Sequence, residues 1–472
     1  MKTLINYNTN IFNFEDHSIL DIHEIERNAC FSVVGFNDSE NAYYLATDHL
    51  GNIPLYYSIK NNEISISLSL MDLTESLSDI SIKNFITLGT LRFISEPDVF
   101  SVPPGSVIKI YKEDSAWKVV TISTYSWQPV IVKRNVHEKI DFLLNQATKR
   151  LIKGDIKRVS LALSGGIDSA LTAYYLLKNN IIVEAYTASP WGREGTEAVR
   201  AIQTVKHLKI KKHEIYTFDD SNYETHLNSY KKNFDMPNGT TASLTVSALW
   251  NNTSIADNKT VFFAQNADTV FCSMMHQSLA YLFQKLPFIF RKSINIRYMH
   301  FGNSLFLNYL NIISLNKLAW VSLPESVTDI LHKFANNDIK FLSLAGMLVG
   351  HTPSDGEVFT IPARNNGCDV KNIFYDVDFM EYVLSMPGGK KIGYDKTSKT
   401  KITLTKKVLL QLAKQNNLGL NYVKKGLVLP KDRGENTRNF FKKLPSEYEN
   451  KKIENESQRF ALLLLKLFHL HE

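Results

Sequence analysis

The sequence predicts an α/β protein in two parts: an antiparallel β domain of sandwich type over residues 1–128, then a doubly wound parallel-sheet domain with added helices over 136–472. Three observations carry this. Short β-branched and aromatic runs alternate with Asn-, Asp- and Gly-containing turns up to about residue 128. Apolar spacing then turns helical, and a strand–Gly-rich turn–helix–strand run follows, which is a βαβ unit and implies a parallel sheet. From about residue 275 the text is mostly helical. At 472 residues, two domains are the natural expectation.

In order, Phe31 to Phe36, Ala42 to Thr47, Leu55 to Ile59 and Glu63 to Leu68 read as strands, and Pro103-Pro104-Gly105 is a turn into the strand Ser106 to Tyr111. Within His137 to Ile152, Ile140, Leu143, Leu144 and Ala147 keep helical spacing. Strand Val159 to Leu163 leads into the Gly-rich turn, helix Ser169 to Lys178 and strand Ile181 to Thr187. Helix Thr196 to Leu208 and a strand from Lys212 repeat the unit, and strand Thr260 to Ala264 ends just before Gln265 and Asp268. The segment Phe460 to Leu470 reads as a packed helix, because its apolar run is far short of the roughly 20 residues needed to span a bilayer.

Composition excludes several classes. A 44% hydrophobic share with 21% charge suits a globular core. The net charge of +7 is spread along the chain, with no clustered basic face for nucleic acid, although a positive field favours an anionic ligand. Cys30, Cys272 and Cys368 are odd in number and widely spaced, which fits neither a zinc site nor a disulfide framework. The first residues lack a signal-peptide core, so a cytoplasmic location is expected.

The chemistry centres on Leu163 and the loop Ser164-Gly165-Gly166-Ile167-Asp168-Ser169. Where a strand gives way to a helix, unpaired N–H groups and the helix dipole hold an anion. Gly165 and Gly166 let the backbone approach phosphate oxygens, and Ser164 and Ser169 donate hydroxyl hydrogen bonds. Asp168 would repel bare phosphate, so its place makes sense with magnesium bridging to the phosphates. The plainer alternative is a tight turn with Asp168 or Ser169 as helix cap. The loop is neither a Walker loop nor a dinucleotide fingerprint.

This hexapeptide resembles the pyrophosphate loop of the N-type ATP pyrophosphatases, which cleave ATP between the α- and β-phosphates. Within that group, the stretch from Asp48 through Gly51 and Pro54 to Tyr57, and Val102 to Gly105 after it, resemble the glutaminase domain of asparagine synthetases. The resemblance implies an Ntn-hydrolase-like amino-terminal domain, here degenerate. The family's nucleophilic Cys follows the initiator Met, whereas this chain has Lys2 and its first Cys is Cys30. Glutamine is therefore not expected to supply the amine.

Within the second domain, Phe263 to Phe271 resembles the family's S-G-E-G-x-D-E-x-F. The resemblance implies that Asp268, with Asp168, holds magnesium, and that Gln265, standing for a Glu, hydrogen-bonds the substrate. Asp369 to Phe379 resembles E-A-R-x-P-F-L-D-x-x-F and implies that Asp369 accepts a proton from the amine; a helix cap or surface acid is the alternative. Lys424, with Lys425 as fallback, resembles the K-x-G-F-x-x-P lysine that neutralises charge growing in the reaction, against a plain surface pair. Lys401 and Lys406 stand behind them as candidates. Glu197 opens a helix where the family carries an Asp, as a capping or surface acid or in that family role.

The resemblance implies an AMP-forming, ATP- and magnesium-dependent ligase that adenylates a carboxylate and couples it to an amine. Its substrates are expected to be a small molecule or a precursor peptide carrying both groups. Lasso-type peptide cyclisation is the leading version, with a leader peptidase or other biosynthetic proteins as partners. A β-lactam-type or other small-molecule amide synthetase, and a non-catalytic nucleotide-binding partner in a biosynthetic complex, are the alternatives. Neither nucleic acid nor a membrane span is expected.

Overall fold

The computed structural model describes residues 22–25, 27–28, 30–128, 130–132, 135–154, 156–189, 195–217, 223–273, 338–349, 351–394, 404–418, 439–440, 442–445, 447–448, 451–452 and 456–470. After a short helix α1 (Ile22–Ile25), strands β1 (Ser32–Asn37), β2 (Ala42–Thr47), β3 (Tyr56–Lys60) and β4 (Glu63–Ser67) form where alternating β-branched and aromatic residues predict them. They are followed by β5 (Val99–Ser101), β6 (Ser106–Glu113) and β7 (Ala116–Thr124). Two antiparallel sheets result, ordered β1-β2-β6-β7 and β4-β3-β5. Val34, Leu45, Ile108 and Ile110 of the first sheet share one buried cluster with Tyr57 of the second, so the sheets face each other across an apolar layer.

One element there is a helix that strand patterning hides: α2 (Asp79–Leu88). Ser78 caps it by accepting the Ser81 N–H, and Gly89, at φ 73°, closes it in the left-handed conformation. Its buried face, Ile82, Phe85 and Ile86, meets Phe460, Leu464 and Leu465 of the carboxy-terminal helix Glu456–Leu467. That helix is packed, as its sequence predicts, and among the described residues no helix is long and apolar enough to cross a membrane.

The second part begins with α3 (Val136–Leu151), which buries Ile140, Leu143, Leu144 and Ala147. Its centre is a parallel sheet ordered β10-β9-β8-β11-β12. The strands are β8 (Arg158–Ala162), β9 (Ile182–Ser189), β10 (Lys212–Thr217), β11 (Thr260–Phe262) and β12 (Asp369–Lys371). Helices α4 (Ile167–Lys178) and α5 (Thr196–Leu208) make the crossovers, and α6 (Tyr223–Tyr230) and α7 (Ala242–Asn252) lead back to β11. From β8 the chain moves outward to β9 and β10, then returns to lay β11 on the other side of β8. Strand order therefore reverses between β8 and β11, and the carboxyl ends of these two strands are where a sheet of this kind forms its ligand crevice. β12, only three residues long and set in text that reads as helical, completes the sheet by pairing with β11.

Beyond the sheet come α8 (Ala267–Val270), α9 (Asp338–Leu348), α10 (His351–Asn365), α11 (Val377–Ser385) and α12 (Gly388–Lys391). A ribbon of β13 (Ile392–Tyr394) and β14 (Leu404–Lys406) leads into α13 (Lys407–Gln415). The two parts are joined by a buried ion pair, Arg92 Nη2 to Glu357 Oε1 of α10 at 3.2 Å, both side chains at most 2% exposed. Thr90 Oγ1 donates to the same carboxylate oxygen at 2.6 Å, and Arg92 Nη1 donates to the Leu50 carbonyl at 2.8 Å. Thr90 and Arg92 both reach Oε1, and Asn238 Nδ2 donates to Oε2 at 3.5 Å, so each carboxylate oxygen has a partner, as a charge taken out of water requires.

Candidate active site at the strand-end crevice

β8 is followed by Leu163, whose N–H bonds the Tyr186 carbonyl of β9 at 2.8 Å and whose carbonyl accepts from Thr187 Oγ1 at 2.7 Å. These bonds fix the point at which the loop leaves the sheet. Gly165 turns it at φ +71°, a conformation that glycine adopts without strain. A Cβ there would stand 2.4 Å from the Glu197 carbonyl and 3.0 Å from the Ala201 nitrogen, so only glycine lets α5 close on the loop. Gly166 holds the helix N-cap position without a side-chain bond, and Asp168 lies in the first turn of α4. Neither Asp168 nor Ser169 is the cap, which sets aside the plain-turn reading of those two residues.

Ser164 is exposed, and its Oγ lies 3.1 Å from Ser169 Oγ and accepts from the Gly166 N–H at 3.3 Å. The bend thus presents a hydroxyl and the opening of a helix to the crevice, an arrangement that holds an anion. Glu197 is neither a cap nor a surface acid: Gly195 occupies the cap position of α5, and the Glu197 carboxylate is buried with neither oxygen hydrogen-bonded among the described residues.

Across the crevice, β11 runs into Gln265, Asn266 and α8. Asn266 sits at φ +74°, which Asn tolerates better than most side chains, and it stands where the resembling motif carries Gly. Its amide is held on both sides, donating to the Phe374 carbonyl at 3.2 Å and accepting from Thr352 Oγ1 of α10 at 3.1 Å. The Gln265 carbonyl accepts from Asn372 Nδ2 at 3.2 Å. This held turn carries Asp268 into the first turn of α8.

Asp168 and Asp268, expected to hold magnesium between them, are brought together here around a different cation. The shared cation is the Lys406 ammonium, which bonds Asp168 Oδ2 closely and Asp268 Oδ1 at 3.0 Å. Burial works to lower the Lys406 pKa, but the two carboxylates outweigh it and hold it above the ordinary lysine value. Among the described residues no set of three or more His, Cys, Asp or Glu side chains forms a complete metal cage. Two carboxylates completed by substrate phosphates is the donor set magnesium takes, and a buried cation already occupies the space between them. The residues therefore fit magnesium.

A third acid enters from α10. Asp355 lies one turn after Thr352, on the face that meets the Gln265–Asp268 turn. Its carboxyl is pushed up to about 7 by burial and then by the charge of Asp268. The next residue, Gly356, packs where a Cβ would be 2.9 Å from the Tyr375 hydroxyl. Neither Asp355 nor Lys406 stood among the leading sequence candidates, because both come from segments far from the loop in the chain.

Asp369 is not brought to this group. β12 pairs Asp369 with Thr260, and β11 pairs Val261 with Ser160, so Asp369 is level with Val159, about 16 Å below Ser164 along the strand direction. It sits at the amino end of β12, paired with Lys371 at 3.0 Å, whereas the crevice is at the carboxyl ends. The expected proton acceptor is displaced for that reason. Asp376 of the same motif is structural: it caps α11 through the Phe379 N–H at 3.1 Å and pairs with Arg150 Nε at 2.9 Å. Lys424, Lys425 and Lys401 lie outside the described residues.

All three cysteines are buried. Burial pushes the Cys30 thiol well above its ordinary value, Cys272 up to about 11, and Cys368 upward as well.

No curated protein matches the chain. Residues 139–330, which include the loop, Gln265 and Asp268, match the family model described as asparagine synthase; this supports an asparagine synthetase-like family and, in general terms, an ATP-dependent amide-forming ligase.

Proposed function

We propose that this chain binds ATP at the crevice, turns a substrate carboxylate into its acyl-adenylate with loss of pyrophosphate, and passes the acyl group to an amine with loss of AMP. One observation carries the reading: a Ser–Gly–Gly bend at a helix start, with Ser164 exposed, lies beside two carboxylates that already share a buried cation. Asp168 and Asp268 would hold magnesium, which when bound neutralises phosphate oxygens. Leu163 to Gly166, Ser164 Oγ and Ser169 Oγ cradle the pyrophosphate end, and Lys406 meets charge that grows on it. Gln265 hydrogen-bonds the substrate, and Asp355, rather than Asp369, is the carboxylate that meets the amine. Lys424 is a second candidate for the charge-neutralising role.

The amine belongs to the substrate in this reading. None of the three cysteines is exposed or activated as a thiolate for glutamine hydrolysis, which favours a degenerate glutaminase-like amino-terminal domain. We favour a precursor peptide that closes a macrolactam between its own amine and an Asp or Glu side chain, with a leader peptidase as partner. The test is incubation with magnesium, ATP and a panel of linear peptides and free amino acids, reading nucleotide products. AMP with pyrophosphate is expected, and a peptide product lighter by one water establishes ring closure. ADP with phosphate overturns the adenylation chemistry; ATP binding without turnover on any acid leaves a nucleotide-binding partner.

A further inference from the structure

Lys406 stands where a divalent cation has its best ligands. It is the last residue of β14 and the N-cap position of α13, 8% exposed, with its ammonium on both Asp168 and Asp268. The ribbon that carries it is anchored from the other strand. Lys391, just before β13, is fully buried and donates to the Val270 carbonyl of α8 and to Ser343 Oγ, each at 3.2 Å. Lys406 is thus delivered to the carboxylate pair by a pinned backbone, and only its four-carbon stem has to turn to leave them.

We propose that Lys406 is an internal cation that keeps free divalent metal off the Asp168–Asp268 pair and yields that place when a nucleoside triphosphate arrives, its ammonium moving from the carboxylates to phosphate oxygens. Three physical points support this. A tethered ammonium competes at an effective concentration that free metal does not reach. In a buried site, a divalent ion and an ammonium repel strongly if both must share two carboxylates. A triphosphate removes that conflict, because its oxygens give the lysine a new charged partner and complete the metal's coordination. Metal binding becomes conditional on nucleotide, and the two carboxylates are never left facing each other without a positive charge. The inference rests on the nucleotide-binding reading of the loop and adds to it an order of events.

The experiment uses Mn²⁺ as the probe and the full chain without nucleotide, reading free Mn²⁺ by electron paramagnetic resonance. Lys406→Met is expected to bind Mn²⁺ about tenfold or more tighter than the wild type. Adding α,β-methylene-ATP is expected to bring Mn²⁺ onto the wild type. Lys406→Arg keeps a cation and should exclude Mn²⁺ as the wild type does. If Lys406→Met is poorly folded, its melting temperature must rise with Mn²⁺ more than that of the wild type. Equal Mn²⁺ affinity of the wild type and Lys406→Met without nucleotide overturns the proposal, as does an Arg variant that behaves like Met. Failure of the analogue to bind either protein refutes the nucleotide reading and the exchange, while a Met–wild-type difference in Mn²⁺ binding still establishes the exclusion.

Discussion

Replacing Gly165 by Ala tests whether the phosphate loop is held by α5, because the cost can be worked out from two separate terms. The first is conformational: at φ +71° an alanine pays about 1–2 kcal/mol for its Cβ in the left-handed region. The second is steric. The new methyl would meet the Glu197 carbonyl at 2.4 Å and the Ala201 nitrogen at 3.0 Å, both backbone atoms of a helix that cannot turn aside, at a cost of about 1–3 kcal/mol. The lower entropy of the unfolded alanine chain returns about 0.4–1 kcal/mol. The net loss is roughly 2–4 kcal/mol, a large share of the stability of an ordinary domain. Gly166→Ala is the control: its backbone is extended, and its nearest neighbour is the Ser164 hydroxyl at 3.3 Å, a side-chain atom that can shift. Urea unfolding should show a lowered midpoint for Gly165→Ala and little change for Gly166→Ala, while nucleotide affinity by calorimetry falls in both. Equal urea midpoints for wild type and Gly165→Ala would refute the close packing of α5 on the loop.

Three other outcomes follow from the same geometry. Arg92→Met leaves Glu357 buried without its cation and should cost about 3–5 kcal/mol, whereas Arg92→Met with Glu357→Gln should recover part of that; identical denaturation curves for the single and double variants would refute the coupling. Asp355, with an unfolded pKa of about 3.9 and a folded value of about 7, binds more protons when folded, so it lowers stability as pH rises through that window. Asp355→Asn should therefore gain on the wild type between about pH 4 and 7 and hold a constant lead above that, by about 2 kcal/mol once partial solvent contact is allowed for, and a gap in urea melts that does not change between about pH 4 and 7 would count against it. Asp168→Asn and Asp268→Asn keep side-chain shape but remove charge, so each should abolish AMP formation and leave the far-ultraviolet dichroism unchanged; turnover within tenfold of wild type would remove that residue from the metal site.

Local pattern decided much of this molecule. Alternation in Ala42–Thr47 and Ser106–Glu113 makes strands, the spacing of Ile140, Leu143 and Ala147 makes a helix, and the Ser–Gly–Gly bend sits between a strand and a helix as its residue types require. Such features rest on contacts within a few residues, so one-dimensional text carries them. Asp168 and Asp268 were also legible, since both open helices directly after strands of one sheet. β12 was not, because three residues carry no period, and its strand character comes from pairing with β11. That pairing also sends Asp369 to the amino end of the sheet, which motif spacing alone does not reveal. Lys406 lies 238 residues from Asp168 in the chain, and Asp355 reaches the crevice only because Thr352 docks on Asn266. The sequence determined the loop and the kinds of element around it; the tertiary structure decided which charges meet there, because burial and electrostatic pairing depend on distances in space that chain separation does not encode.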